Sequence, residues 1–226
     1  GMRALLNSPK SDIFFYASNG HGVWEAASSN LGSDKHTLLI AGSGHFSDQW
    51  AIQTEGLGLS VLRTPHTEGQ RINVDAIESA LRSDSTHKIA AVMVVHTDTA
   101  SGITSDLLAI RQAIDRAQHP AIYVVDVVAS LAATSFDMDA LGVDVCLGSS
   151  QKGLMMPPGL GFVAVNDKAF DWSHQHAKHR FYWSWFERKS TVQSAKFCGT
   201  PPLAHLAGLE TSLRLLQDEG LHAVFA

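Results

Sequence analysis

Seven short apolar runs, separated by stretches with helical spacing of apolar residues, constrain this chain more than any other feature. The runs cover residues 13–16, 37–41, 59–62, 90–95, 121–126, 145–148 and 161–165. Most are continuous in Val, Ile, Leu and Ala, the pattern of strands covered on both faces. Helical stretches fall between them at 23–30, 46–57, 74–82 and 106–117. The third aligns Val74, Ile77 and Leu81, with Asn73 or Asp75 placed to cap it, and the fourth aligns Leu107, Ile110 and Ile114. This alternation predicts an α/β fold, a three-layer α/β/α arrangement around a mostly parallel sheet of about seven strands. Ligands in such sheets bind beyond the carboxyl ends of the strands, so the residues that follow each strand are the first to inspect.

The 226 residues, 45% hydrophobic and 17% charged, suffice to bury a full core as one large domain or two small ones. A net charge of -5 with no basic run argues against nucleic acid or an anionic membrane as the main partner. Cys146 and Cys198 lie far apart and form no CxxC pair, which fits a reducing, cytoplasmic setting. No apolar run reaches the roughly 18 residues of a membrane span. Gly1 before Met2 reads as a cleavage remnant and is set aside. From 167 to 200 the alternation breaks into a segment with Trp172, Trp183, Trp185, His174, His176 and His179 but no clear strand. A long irregular segment in a compact domain is usually functional or mobile. Pro201-Pro202 and a helix over 203–218 follow.

Three strand ends carry candidate chemistry. Ser18-Asn19-Gly20-His21-Gly22 leads from the first strand into a helix, where small residues and free helix N–H groups suit an anion. By itself this turn is a weak signal; it does not match GxGxxG and no P-loop lysine follows. The fifth strand ends at Asp126, a carboxylate that acts on a ligand or caps the next segment, with equal weight for each. The sixth strand runs into Gly148-Ser149-Ser150-Gln151-Lys152-Gly153, and Lys152 is either a solvated loop lysine or a Schiff-base nucleophile. The three features meet in one ligand only if it has a phosphate, a ring nitrogen and an aldehyde, as pyridoxal phosphate does.

The segments SNGHGVWEAA (18–27), Gly44-His45-Phe46, VHTDTASGITS (95–105), VVDVVASL (124–131), GSSQKGLMMPPGLG (148–161) and YWSW (182–185) resemble the class V aminotransferases of the type I pyridoxal-phosphate fold. The serine–glyoxylate aminotransferase branch is the most similar. The resemblance runs from about Ile13 to the end of the chain and implies a specific set of roles. Lys152 would hold the cofactor and move the substrate α-proton, and Asp126 would keep the pyridine nitrogen protonated. Asn19, Gly20, His21 and Gln151 would surround the phosphate, Phe46 would stack on the ring, and Thr99 would lie near the ring oxygen. Thr200 would reach a neighbouring subunit's phosphate, making the protein a homodimer with shared sites. The implied reaction moves an amino group from a small amino acid, serine by resemblance, to a 2-oxo acid such as glyoxylate.

The resemblance also makes residues 1–226 the large, cofactor-binding domain, without the family's additional amino-terminal segment or its carboxyl-terminal small domain with the arginine that clamps the substrate carboxylate. A chain that keeps only the cofactor or dimer surface, without turnover, is therefore an alternative. A cysteine desulfurase is a further one; Gln151, where desulfurases carry histidine, argues against it. Gly199 and Asp98 depart from the branch, which carries tyrosine and glutamate there. The spacing of His174, His176 and His179 fits no standard zinc pattern, so a solvated loop is expected. Trp24, Trp50 and Cys146 read as core, and the remaining tryptophans as packing.

Overall fold

The computed structural model describes residues 1–177 and 180–225. In chain order the elements are α1 (Met2–Leu5), β1 (Asp12–Tyr16), α2 (Gly20–Leu31), β2 (Thr37–Ile40), α3 (His45–Gly56), β3 (Ser60–Arg63), α4 (Val74–Ser83) and β4 (Ile89–Val95). A two-stranded ribbon, β5 (Thr97–Asp98) and β6 (Ile103–Thr104), leads to α5 (Leu107–Arg116), β7 (Ile122–Asp126), β8 (Val145–Ser149) and β9 (Gly161–Val165). Then come α6 (Asp167–His176), α7 (Trp185–Arg188), α8 (Gln193–Lys196), α9 (Leu203–Glu219) and α10 (Leu221–Val224).

Seven strands form one sheet in the order β1-β9-β8-β7-β4-β2-β3. β9 runs antiparallel to both of its neighbours, and the other adjacent pairs among β8, β7, β4, β2 and β3 are parallel. Every residue of β4, β7, β8 and β9 is buried. Side chains alternate between two cores: Leu39, Val92, Val125 and Cys146 face one, while Leu38, Met93, Val124 and Leu147 face the other. The first core also holds residues of α1, α4, α5 and α9, and the second holds residues of α2, α3, α6 and α7. That is the expected three-layer arrangement, and it explains why the strands read as unbroken apolar runs.

The expected strands match the observed ones to within a residue at each end, and four of the five expected helices match equally well. Helix α2 begins three residues earlier than its apolar pattern, because its first turn is Gly20-His21-Gly22. Asn19 caps that turn by accepting the Gly22 N–H at 3.2 Å. The irregular reading of 167–200 is corrected over its first third. α6 is a ten-residue helix capped by Asn166, whose side chain accepts the Ala169 N–H at 3.0 Å. Its buried residues are only Ala169 and Ser173, so no apolar stripe marked it. His174 and His176 are therefore helical; the His176 ring stacks on Trp172 at 4.0 Å. His179 lies outside the described residues. Among the described residues no group of three or more His, Cys, Asp or Glu could hold a metal, and no helix is long and apolar enough to cross a membrane.

Candidate active site

The carboxyl ends of β4, β7 and β8 lie side by side in the middle of the sheet, and the start of α2 packs against β8. Together they frame a cleft of about 190 Å³. Asn19, Gly20, His21, Phe46, Thr99, Asp126, Gln151 and Lys152 all line it, so eight of the nine residues singled out in the sequence meet in one place. Thr200 is the exception; it is exposed, just ahead of α9, and does not line this cleft.

At the first wall, α2 presents its amino terminus. The Asn19 cap takes the Gly22 N–H and the Asn19 carbonyl takes the Val23 N–H at 3.3 Å. The opening amides of a helix have no partner within it and carry its positive dipole end, which suits an anion. Below them, the Ser18 and Ser149 hydroxyls are buried with no hydrogen-bond partner among the described residues. A Cβ placed on Gly20 would lie 3.8 Å from the Ser149 hydroxyl, which puts that hydroxyl against the start of the helix. Buried hydroxyls without partners are uncommon in a finished core. The Ser149 hydroxyl, against the start of α2, fits an acceptor-rich group such as a phosphate.

Asp126 forms the floor. It is 4% exposed. Its Oδ2 accepts the Trp24 indole N–H at 2.6 Å, and its Oδ1 accepts the Val128 backbone N–H at 2.6 Å. Its carbonyl accepts the His96 N–H at 3.0 Å. Burial raises its pKa from 3.8 to about 6; the Val128 and Trp24 donors oppose that rise, and the nearby Asp98 carboxylate adds to it. His96, whose Nδ1 lies 2.8 Å from Ser130 Oγ, is pushed down to about 4 by burial and stays neutral at pH 7.

The third wall is the lysine loop. The Ser150 hydroxyl donates to the Pro157 carbonyl at 2.6 Å and the Ser150 N–H donates to the Leu160 carbonyl at 2.9 Å, closing the loop on itself. A Cβ on Gly153 would overlap the Leu131 carbonyl oxygen, so only glycine lets this loop lie against the segment that follows Asp126. Lys152 stands at the tip, exposed to the cleft.

Phe46 enters from α3. Its backbone N–H donates to Asp98 Oδ2 at 3.0 Å, and Asp98 Oδ1 accepts the Ala100 N–H at 3.0 Å. Asp98 is wholly buried. The shorter carboxylate noted in the sequence thus ties the β5 turn to the start of α3, where Gly44 adopts a φ of +137° and leaves room for it.

Sequence reasoning missed Trp24 as a cleft-lining residue, and the places of Asp98, Ser18 and Ser149 beside the elements that frame the cleft. Trp24 was legible in principle, since a buried indole N–H needs a partner. The two serines gave no signal, because small polar residues in a glycine-rich turn are ordinary.

A mostly parallel sheet carrying a lysine, a buried carboxylate and a helix amino terminus at adjoining strand ends defines a class of ligand-binding α/β transferase fold. The class-V aminotransferase family matches residues 1–226, and the chain belongs to that family. It is 39% identical over 228 residues to a serine–glyoxylate aminotransferase of Methylorubrum extorquens, covering 99% of this chain and 57% of that protein. An L-aspartate–glyoxylate aminotransferase of Paracoccus denitrificans is 35% identical, with 100% and 57% covered. The chain thus spans a little over half the length of the curated relatives it matches. The crystal structure of an alanine–glyoxylate aminotransferase from Nostoc sp. superposes with a TM-score of 0.87 at 22% identity, covering 99% of this chain and 59% of that one. The fold is the type I fold of pyridoxal-phosphate-dependent transferases.

Proposed function

We propose that residues 1–226 form the cofactor-binding large domain of a pyridoxal 5'-phosphate-dependent aminotransferase that moves an amino group from a small amino acid to a 2-oxo acid such as glyoxylate. The observation that carries this reading is the meeting of Lys152, Asp126 and the start of α2 in one cleft. The glyoxylate aminotransferases among the relatives support the substrate class.

When bound, pyridoxal phosphate supplies an aldehyde carbon and a ring that accepts electrons. Lys152 Nζ would hold it through the aldehyde and, once displaced, take the proton from the substrate Cα and return it. Asp126 would hold the pyridine nitrogen in its protonated form from within the floor of the cleft. The amides of Gly20 and His21, with Asn19, Gln151 and the Ser149 hydroxyl, would hold the phosphate. Phe46 would cover one ring face and exclude water from it, and Thr99 would stand near the ring oxygen at the mouth. Thr200, exposed and away from its own cleft, is free to serve a neighbouring subunit, which is the arrangement of a homodimer with shared sites.

A second reading is cofactor binding without turnover. Among the described residues no arginine lines the cleft, so a clamp for the substrate carboxylate would come from outside that lining. Positioning of that kind contributes several kcal/mol to catalysis.

The test is visible absorbance of the chain with pyridoxal phosphate, for wild type and Lys152→Ala, before and after borohydride. A protonated-imine band in wild type alone, fixed by borohydride onto Lys152, is expected. Its absence at saturating cofactor would overturn the assignment. Serine and glyoxylate turnover then separates the two readings.

A further inference from the structure

Trp24 sits one helical turn after Gly20, on the helix whose start forms the proposed phosphate wall. It is 3% exposed, and its indole Nε1–H donates to Asp126 Oδ2 at 2.6 Å. Three contacts fix the ring in that pose. It stacks on Trp50 at 5.6 Å and 11°, meets Phe46 edge-on at 6.3 Å, and lies 4.4 Å from the His21 ring. Trp50 is in turn tied back to α2, donating its Nε1–H to Ser28 Oγ at 3.2 Å. One rigid helix therefore contributes backbone to one end of the cleft and a hydrogen bond to the carboxylate at the other.

From this geometry we infer that Trp24 is a positioning residue: its indole N–H holds Asp126 ionised and aimed, and α2 acts as a ruler that sets the distance between the phosphate and ring-nitrogen ends of a pyridoxal-phosphate-class ligand. A donor to a buried carboxylate favours its charged form. That matters here because burial has raised Asp126 to about 6, so that loss of a donor would bring its titration into the physiological range. A protonated Asp126 would offer an O–H to the ring nitrogen where an anion is needed. Among the described residues, the other titratable groups around Asp126 are His96 at the end of β4, Asp98 on β5, Cys146 on β8, and Lys152 and His21 in the cleft. Of these, Asp98 opposes the ionised form. Val128 donates only from the backbone, which leaves Trp24 as the side-chain donor to Asp126 among the described residues.

The inference rests on the proposed function for the identity of the ligand, and its test begins without one. In the ligand-free protein, the ¹⁵N indole resonance of Trp24 should lie downfield and shift with a midpoint equal to that of the ¹³C-labelled Asp126 carboxyl. An indole resonance that is unmoved between pH 4 and 8 would overturn the inference. Trp24→Phe should raise the Asp126 midpoint by about one unit, a tenfold change in its protonation ratio. An unchanged midpoint would overturn it.

The second arm measures pyridoxal phosphate affinity by fluorescence quenching in wild type, Trp24→Phe, Asp126→Asn and the double variant. Trp24→Phe should weaken binding about tenfold in the wild-type background and far less in Asp126→Asn. Equal losses in both backgrounds would reduce Trp24 to packing and overturn the inference. If wild type binds no pyridoxal phosphate, the proposed function fails, while the two titrations still decide whether Trp24 governs Asp126.

Discussion

Removal of the Asp98 carboxylate tests whether this side chain is structural glue for the cleft. Asp98 is wholly buried and accepts two backbone N–H groups, from Phe46 at 3.0 Å and Ala100 at 3.0 Å. Asp98→Ala leaves both donors without a partner, at about 1–3 kcal/mol each when water cannot reach them. It also removes a carboxylate from the amino end of α3, worth roughly 0.3–1 kcal/mol. Some water will enter the space left behind, so the expected loss is about 2–4 kcal/mol. Asp98→Asn keeps one acceptor oxygen but turns an NH₂ toward the second donor, and should lose about half as much. Urea denaturation of the ligand-free protein reads this directly, as a lowered midpoint at unchanged slope. Because the Asp98 charge adds to the raised pKa of Asp126, Asp98→Asn should also lower the Asp126 midpoint. An Asp98→Ala protein within 0.5 kcal/mol of wild type would refute the reasoning, since it would mean that the two amides find other partners at no cost.

Two further outcomes follow from the same site. Gly153→Ala should cost about 1–3 kcal/mol by overpacking against the Leu131 carbonyl and displace Lys152, weakening pyridoxal phosphate binding at least tenfold; a variant with wild-type affinity and melting temperature would refute the close-contact argument. Asp126, raised from 3.8 unfolded to about 6 folded, binds its proton more tightly in the folded state, so its contribution to stability is fully present below about pH 4 and is lost as pH rises through 6. Relative to Asp126→Asn, ligand-free wild type should therefore lose on the order of 2–3 kcal/mol between pH 4 and 7, measured by denaturation at each pH, and parallel pH profiles would contradict this.

Much of this protein was legible in one dimension. Strands buried on both faces must be apolar at every position, so β4, β7, β8 and β9 announce themselves as unbroken runs, and their alternation with amphipathic helices leaves few topologies. The residues of the candidate site were legible for a related reason: Asp126 and Lys152 stand at or just past the ends of such strands, where an α/β sheet binds its ligands. Helix α6 was not legible, because its buried face is an alanine and a serine and local periodicity carries no signal there. The reversal of β9 was not legible either, since direction in a sheet depends on which strand lies alongside and leaves no mark in a buried apolar run. Tertiary structure alone decided that Trp24 serves Asp126, 102 residues away in sequence, and that Asp98 holds the amide of Phe46, 52 residues away. Hydrogen bonds of this kind are set by the approach of separate elements, and composition and spacing record the elements but not their approach.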